Sequence, residues 1–303
     1  MKILITGASG FIGQHLVKEL ADHDLILFGQ DLRDHKATRD FVISKQPDVI
    51  IHLAALTEVE HSFYKQALFS DVNYTGTVNL VEAAREVDNL QLFLFSSTME
   101  TYGWQPVSDL IRDDLPFEHE PFDEHTVQNP NAPYAVAKLG CEKYLEYASR
   151  AYELPYCILR QTNTYGRTDN DFFVVEQIIT QMLKGDTVNL GYRKPYRNFL
   201  HISDLISAYK AIISNVSAVK NETFCVGPSN ALSIEKLAEK IAKKLQWQGQ
   251  INWDTKPKRH GEIYYLNSTN DKITRTIGWK PEIDLDTGLD MTIEFWNNEI
   301  NKD

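Results

Sequence analysis

Two kinds of apolar pattern alternate along this chain. Short runs rich in β-branched residues and bounded by glycine or proline read as buried strands: KILITG, DLILFG, PDVIIHLAA, QLFLFSS and PYCILRQTN. Longer stretches between them carry helical spacing. GFIGQHLVKELADH places Ile12, Leu16 and Leu20 on one helical face. ALFSDVNYTGTVNLVEAAREV and PYAVAKLGCEKYLEYASRAY are predicted as one helix each. Strands that alternate with helices imply crossover connections, hence a doubly wound parallel α/β sheet with helices on both faces. The strands are apolar throughout rather than alternating, as covering of both faces requires.

After about residue 161 the alternation becomes irregular. FVVEQIITQMLKG and SIEKLAEKIAKKLQ read as amphipathic helices, with short strand-like pieces between them. The expected division is a dinucleotide-binding Rossmann domain over residues 1–160, with 199–226 returning to it, and a smaller C-terminal substrate-binding lobe from 161–303. That lobe should pack at the carboxyl edge of the sheet, where open parallel sheets bind ligands.

Composition narrows the class. The chain has 303 residues, 43% hydrophobic, with 31 basic and 42 acidic residues and a net charge of −11. An acidic surface repels phosphate backbones, so nucleic acid is not an expected partner. Three cysteines without paired spacing suggest neither a disulfide framework nor a zinc site, and no metal is expected. No apolar run is long enough to span a bilayer, and MKILITG runs directly into a glycine loop, so the expected location is the cytoplasm and no membrane partner is expected.

The loop TGASGFIG joins the first strand to the first helix through Gly7, Gly10, Phe11, Ile12 and Gly13. Glycines there permit a tight turn and close approach of backbone to a diphosphate, at a helix N-terminus with free N–H groups. In the first crossover of a doubly wound sheet this is a dinucleotide site, and NAD is expected, with NADP open. A ribose-binding acid should end the second strand; LILFGQDLRD places Asp31 and Leu32 near that point. The segment is short: the strand and helix that normally precede such an element are absent. Arg33 nearby would suit a 2′-phosphate instead.

Tyr134 and Lys138 stand four apart in YAVAK and so share a helix face. NPNAPY before them supplies Asn131 as a cap and Pro133 in the first turn. A tyrosine must lose roughly three pKa units, about 4 kcal/mol, to ionise near neutrality. A neighbouring ammonium and an oxidised nicotinamide can supply that. With Thr98 at the end of QLFLFSST, the chain holds a base, a tuning charge and a hydroxyl for the same substrate oxygen.

These features resemble the extended short-chain dehydrogenase/reductase family, specifically its nucleotide-sugar epimerases and dehydratases. TGASGFIG, HLAA, NYTGTVNLVEAA, FSST with YG, PYAVAK, LRQTNTYG, RNFLHISDL and IGWKP occur in the family's order over nearly the whole chain. The resemblance implies that Leu53, Ala54, Ala55, Tyr134 and Lys138 contact NAD, that Thr98, Tyr134 and Lys138 are the catalytic trio, and that Thr98, Asn163, Arg197 and Arg259 hold a nucleotide-diphosphate sugar. It also implies a homodimer packed through helices around 66–86 and 132–152.

Glu100, two residues before Tyr102, separates reaction types within the resemblance. A 4,6-dehydratase commonly has glutamate there, as base for the C5 proton of a 4-keto sugar; a 4-epimerase needs none. The dehydratase is the favoured expectation. A 4-epimerase, an NADPH-dependent 4-keto-sugar reductase and a dinucleotide sensor without catalysis are the alternatives. Met99, where some dehydratases carry an acid, can protonate nothing. The acids of the Trp104–Pro130 loop, Asp109 to Glu124, lack ligand spacing and read as a solvated lid.

Overall fold

The structure, a computed structural model, describes residues 1–106, 119–258 and 261–302. Six strands form one sheet: β1 (Lys2–Thr6), β2 (Asp24–Phe28), β3 (Val49–His52), β4 (Leu92–Thr98), β5 (Tyr156–Gln161) and β6 (Glu222–Val226). Their order is β6-β5-β4-β3-β1-β2, and every pairing is parallel. The doubly wound sheet expected from the alternation is therefore present. The chain winds outward from β1 to β2 and returns past β1 to β3, so the topological switch point lies between β1 and β3.

The period-two geometry of the strands builds two cores. Ile3, Ile5, Ile51, Leu94 and Leu159 face one side, against α1 (Phe11–Glu19) and a later helix, Ile202–Ser214. Leu4, Ile50, Phe93, Phe95 and Ile158 face the other, against α2 (His35–Lys45), α3 (Gly76–Ala84) and α4 (Pro133–Tyr152). Both faces being covered is why these strands show no polar alternation. A separate core, from Val175, Ile178, Ile179, Leu237 and Ile241, holds the helices of the later third together.

Three local features differ from the sequence pattern. Helix α2 follows LRD directly, capped by Asp34, whose carboxylate accepts from Ala37 N at 2.9 Å. The chain then enters β3, so β2 is the sheet's edge and its Leu27 is half exposed. Second, the helix expected to run unbroken to α3 contains a π-helical turn at Ser70–Thr75. The wide turn carries Asn73, whose amide exchanges hydrogen bonds with Leu56 N and O at 2.8 and 2.9 Å and so fixes the loop after β3. Third, Asn131 is not the cap of α4. Ala132 is, in an extended conformation, with Pro133 at the first helical position. The residue before a proline is sterically driven to that conformation, which leaves Asn131 one position too early.

The switch point is braced by a buried histidine. His52 lies between the hydroxyls of Thr6 (2.7 Å) and Thr77 (2.8 Å), and Thr6 also accepts from Ala54 N. Burial, and secondarily Lys138, hold the imidazole down to about 3. The unfolded chain would take up this proton near pH 6.5, whereas the folded chain does not until about pH 3. Between those values the unfolded state binds more protons, so stability falls as pH falls. This group contributes about 1.4 kcal/mol per pH unit. Urea unfolding at stepped pH should show this slope, and His52→Asn should reduce it. An unchanged slope in that variant would refute the assignment.

Candidate active site

A cleft of about 530 Å³ opens at the carboxyl ends of β1, β3, β4 and β5. Its floor is the glycine loop. Gly7 has φ +72°, and a Cβ there would stand 2.7 Å from Ala54 N; a Cβ on Gly13 would stand 2.2 Å from Gly7 O. Neither position admits a side chain, and the result is close stacking of β1, α1 and the loop after β3. Gly10 begins α1 without any side-chain cap, and the first turn holds no acid. Free N–H groups and a positive dipole end therefore face the cleft, which is what a dinucleotide diphosphate requires. The chain fits the cofactor on this count.

Glu100 is aimed by its neighbours. Strand β4, buried along its whole length, ends in a 3₁₀ turn, Met99–Tyr102. Thr98 caps it, its hydroxyl accepting from Glu100 N at 3.2 Å. Met99 and Tyr102 are fully buried anchors: Tyr102 donates to Asp123 O at 2.7 Å, and Met99 packs with Phe122 and Ile263. Pinning both ends of so short a turn leaves Glu100 partly exposed and lining the cleft.

Tyr134, in the first turn of α4, lines the same cleft and is buried. Burial, then the nearby Glu100 carboxylate, raise its phenol above the usual tyrosine range; a hydrogen bond with Thr98 opposes them. Lys138 shares the helix face and is buried beneath the cleft. Its ammonium donates to Ser96 O at 2.7 Å and lies 4.7 Å from the Phe95 ring centre. Burial pushes it down to about 8, against the pull of Cys141 and Glu142. The ammonium is thus directed at the β4 backbone. Thr98, Tyr134 and Glu100 together present a hydroxyl, a protonated phenol and a carboxylate to one space.

A profile of the NAD dependent epimerase/dehydratase family matches residues 3–227. The chain belongs to this family. It is 27% identical to dTDP-glucose 4,6-dehydratase 1 of Escherichia coli, over 98% of this chain and 92% of that one. It is 26% identical to GDP-6-deoxy-D-mannose reductase of Pseudomonas aeruginosa, over 100% and 99%. The crystal structure of UDP-glucose 4-epimerase from Thermotoga maritima, with UDP-glucose, aligns at a TM-score of 0.87 with 25% identity, covering 99% of this chain and 100% of that one.

In this epimerase/dehydratase-family chain, the cleft gathers most residues named from the sequence: Gly7, Gly10, Phe11, Ile12, Gly13, Leu53, Ala54, Ala55, Thr98, Glu100, Tyr134 and Asn163 all line it. Others stand elsewhere. Asp31 is on the surface, its carboxylate held near a pKa of 2 chiefly by hydrogen bonds from Arg33. Arg33 also reaches Asp71 at 3.5 Å. Leu32 is buried against Gly76. Arg197 is buried, 3.6 Å from Glu262, and does not line the cleft. Arg259 and the acids Asp109, Asp113, Asp114 and Glu118 lie outside the described residues. Of the histidines, His201 is buried at the start of the Ile202–Ser214 helix, where its ring accepts from Ser203 N.

Several cleft residues carry no signal in the sequence: Ser97, Gln161, Arg167, Phe173 and Glu176. Ser97 leads to a buried network. Its hydroxyl donates to Glu142, which pairs with Arg160 at 2.9 Å and accepts from Gln128 at 2.8 Å. This network ties α4 to β4 and β5 directly behind Tyr134 and Thr98.

Proposed function

We propose that the protein oxidises a nucleotide-activated hexose at C4 and then eliminates water across C5 and C6, a 4,6-dehydratase reaction. The supporting observation is that Glu100 shares the cleft with Tyr134 and Thr98 closely enough to raise the phenol's pKa. The glycine loop and the α1 N-terminus would hold NAD, which would supply a hydride acceptor for C4 and a hydride donor for C6. Thr98 and Tyr134 hold the C4 oxygen, and Tyr134, once its phenol has given its own proton to solvent, takes the C4 hydroxyl proton as phenolate. Glu100 removes the C5 proton, made acidic by the adjacent ketone. The Met99 side chain is buried in the core, so it delivers nothing to the leaving hydroxyl. Glu100, now protonated, gives the same proton to the C6 oxygen, water leaves, and C5 takes up a solvent proton as C6 is reduced. One carboxyl group serves as base and then acid.

The test is proton NMR with mass spectrometry on a panel of nucleotide hexoses in D2O without added cofactor. A product lighter by one water, with deuterium at C5, is expected. Inverted C4 at unchanged mass without deuterium would sink the dehydratase and make the enzyme an epimerase. One observation favours a reductase instead: the adenosine side ends at an edge strand, with Asp31 exposed, which suits a cofactor that exchanges at each turnover. Conversion only when NAD(P)H and a 4-keto sugar are both supplied would establish that reading.

A homodimer through the π-turn region and α4 fits the surface. Leu68, Tyr74, Val136 and Tyr147 are exposed apolar residues on these adjoining elements. Light scattering should return the mass of two chains, and Val136→Glu should halve it. A wild-type monomer at micromolar concentration would dismiss this arrangement.

A further inference from the structure

Arg167 is the only arginine or lysine among the described residues lining the cleft; two carboxylates, Glu100 and Glu176, share its walls. Its guanidinium is sandwiched between aromatic rings, 4.3 Å from the centre of Phe11 and 3.7 Å from that of Phe173. It donates to Thr164 O at 2.5 Å, and among the described residues no carboxylate pairs with it. Such a cation has lost much of its water and makes no direct ion pair, although the charges of Glu176 and Asp169 act on it. Burial accordingly lowers its pKa from the usual arginine value.

Its position is built rather than incidental. Glu176 is completely buried, and one carboxylate oxygen accepts from Gly166 N and Arg167 N, both at 2.9 Å. The other oxygen has no hydrogen-bond partner. The carboxylate thus fixes the backbone of Arg167 and attracts its guanidinium through space without a direct contact, and the rings hold the guanidinium. Phe11 is the first residue of α1, directly after Gly10. The planar cation therefore stands over the helix end whose free N–H groups face the cleft.

We propose that Arg167 is a clamp for the diphosphate of the dinucleotide, closing over it opposite the α1 N-terminus and replacing its stacked, unpaired state with a bidentate ion pair. This rests on the cofactor occupying the glycine-loop side of the cleft. It also gives the enzyme a way to hold the cofactor that does not depend on the shortened adenosine side. The rings of Phe11 and Phe173 hold the planar fork in position before the ligand arrives, so little side-chain entropy is lost on binding.

Calorimetric titration with ADP-ribose, adenosine and the nucleoside diphosphates UDP, dTDP and GDP tests this on the intact protein. Arg167→Gln should weaken ADP-ribose by roughly 10- to 100-fold, the size of one charged hydrogen-bonding partner. Adenosine and the other diphosphates should be unaffected, and Arg167→Lys should recover part of the loss. Glu176→Gln, which keeps its shape but weakens its hold on the Arg167 backbone, should shift ADP-ribose in the same direction by less. Equal ADP-ribose affinity in wild type and Arg167→Gln, with matching melting temperatures, would overturn the clamp while leaving the cofactor site intact. Weakening of UDP, dTDP or GDP instead would overturn it by assigning the residue to the sugar nucleotide. Wild-type protein that binds neither ADP-ribose nor NAD(H) would bring down the clamp and the cofactor placement together.

Discussion

Tyr134→Phe should lower turnover by roughly 10²- to 10⁴-fold while leaving the fold in place. The substitution removes one oxygen from a ring that is otherwise packed at the start of α4. Thr98 keeps its own place, because its hydroxyl already accepts from Glu100 N and its carbonyl from Thr101. Lost activity therefore reports chemistry rather than unfolding. The pH profile carries a sign as well. Burial and Glu100 both stabilise the neutral phenol, so the free enzyme holds Tyr134 protonated at neutral pH. If loss of its proton is required, the rate should rise with pH on the alkaline side. Glu100→Gln should shift that limb to lower pH, because it removes a negative charge that opposes ionisation. An alkaline limb that stays where it was in Glu100→Gln would show that the two groups do not interact during catalysis. Tyr134→Phe with more than a tenth of wild-type turnover would remove the phenol from the mechanism.

Much of the site was legible because its parts are local. Gly7, Gly10 and Gly13 sit in one loop, and Tyr134 and Lys138 sit on one helical turn. Their spacing alone puts them on a shared surface once the elements form. Arg167 and Phe11 are far apart in sequence and meet only because β1 and the segment after β5 converge on the same edge of the sheet. No periodicity marks such a contact. Glu176 was hidden for another reason: it sits in an apolar helix, VVEQIITQMLK, where a glutamate near the start reads as a surface acid favourable to the helix dipole. Instead it is wholly buried and serves the loop. Five of the six strands were legible as apolar runs, and the sixth, Glu222–Val226, stood unnamed within the returning stretch 199–226. It was also readable that the short segment between DLILFG and PDVIIHLAA has no length for another strand and crossover helix in addition to α2. What that shortening does to Asp31 was not readable. The missing elements leave Asp31 at a surface turn, where it meets Arg33 two residues on rather than a pocket wall.

Glu100→Gln is the substitution that separates the reactions this family performs. Glutamine keeps the shape of the side chain and can still hydrogen-bond a sugar hydroxyl, but it accepts no proton from carbon. If Glu100 is the C5 base, elimination should fall by roughly 10²- to 10⁴-fold and deuterium incorporation at C5 should fall with it. Oxidation at C4 should survive, because it uses Tyr134 and Thr98. Reduced nicotinamide should then accumulate on mixing, visible by its absorbance, since the 4-keto sugar has no onward step. The buried state of Met99 sharpens the expectation. With no acid at position 99, the same carboxyl group must also protonate the leaving hydroxyl, so its removal takes away both protonic roles at once. Residual water loss in Glu100→Gln would require another base for the C5 proton in the cleft, because elimination cannot proceed without its removal. Unchanged product formation in Glu100→Gln would make the residue a sugar-binding group only. The chemistry would then be inversion or reduction at C4, to which Thr98 and Tyr134 already suffice.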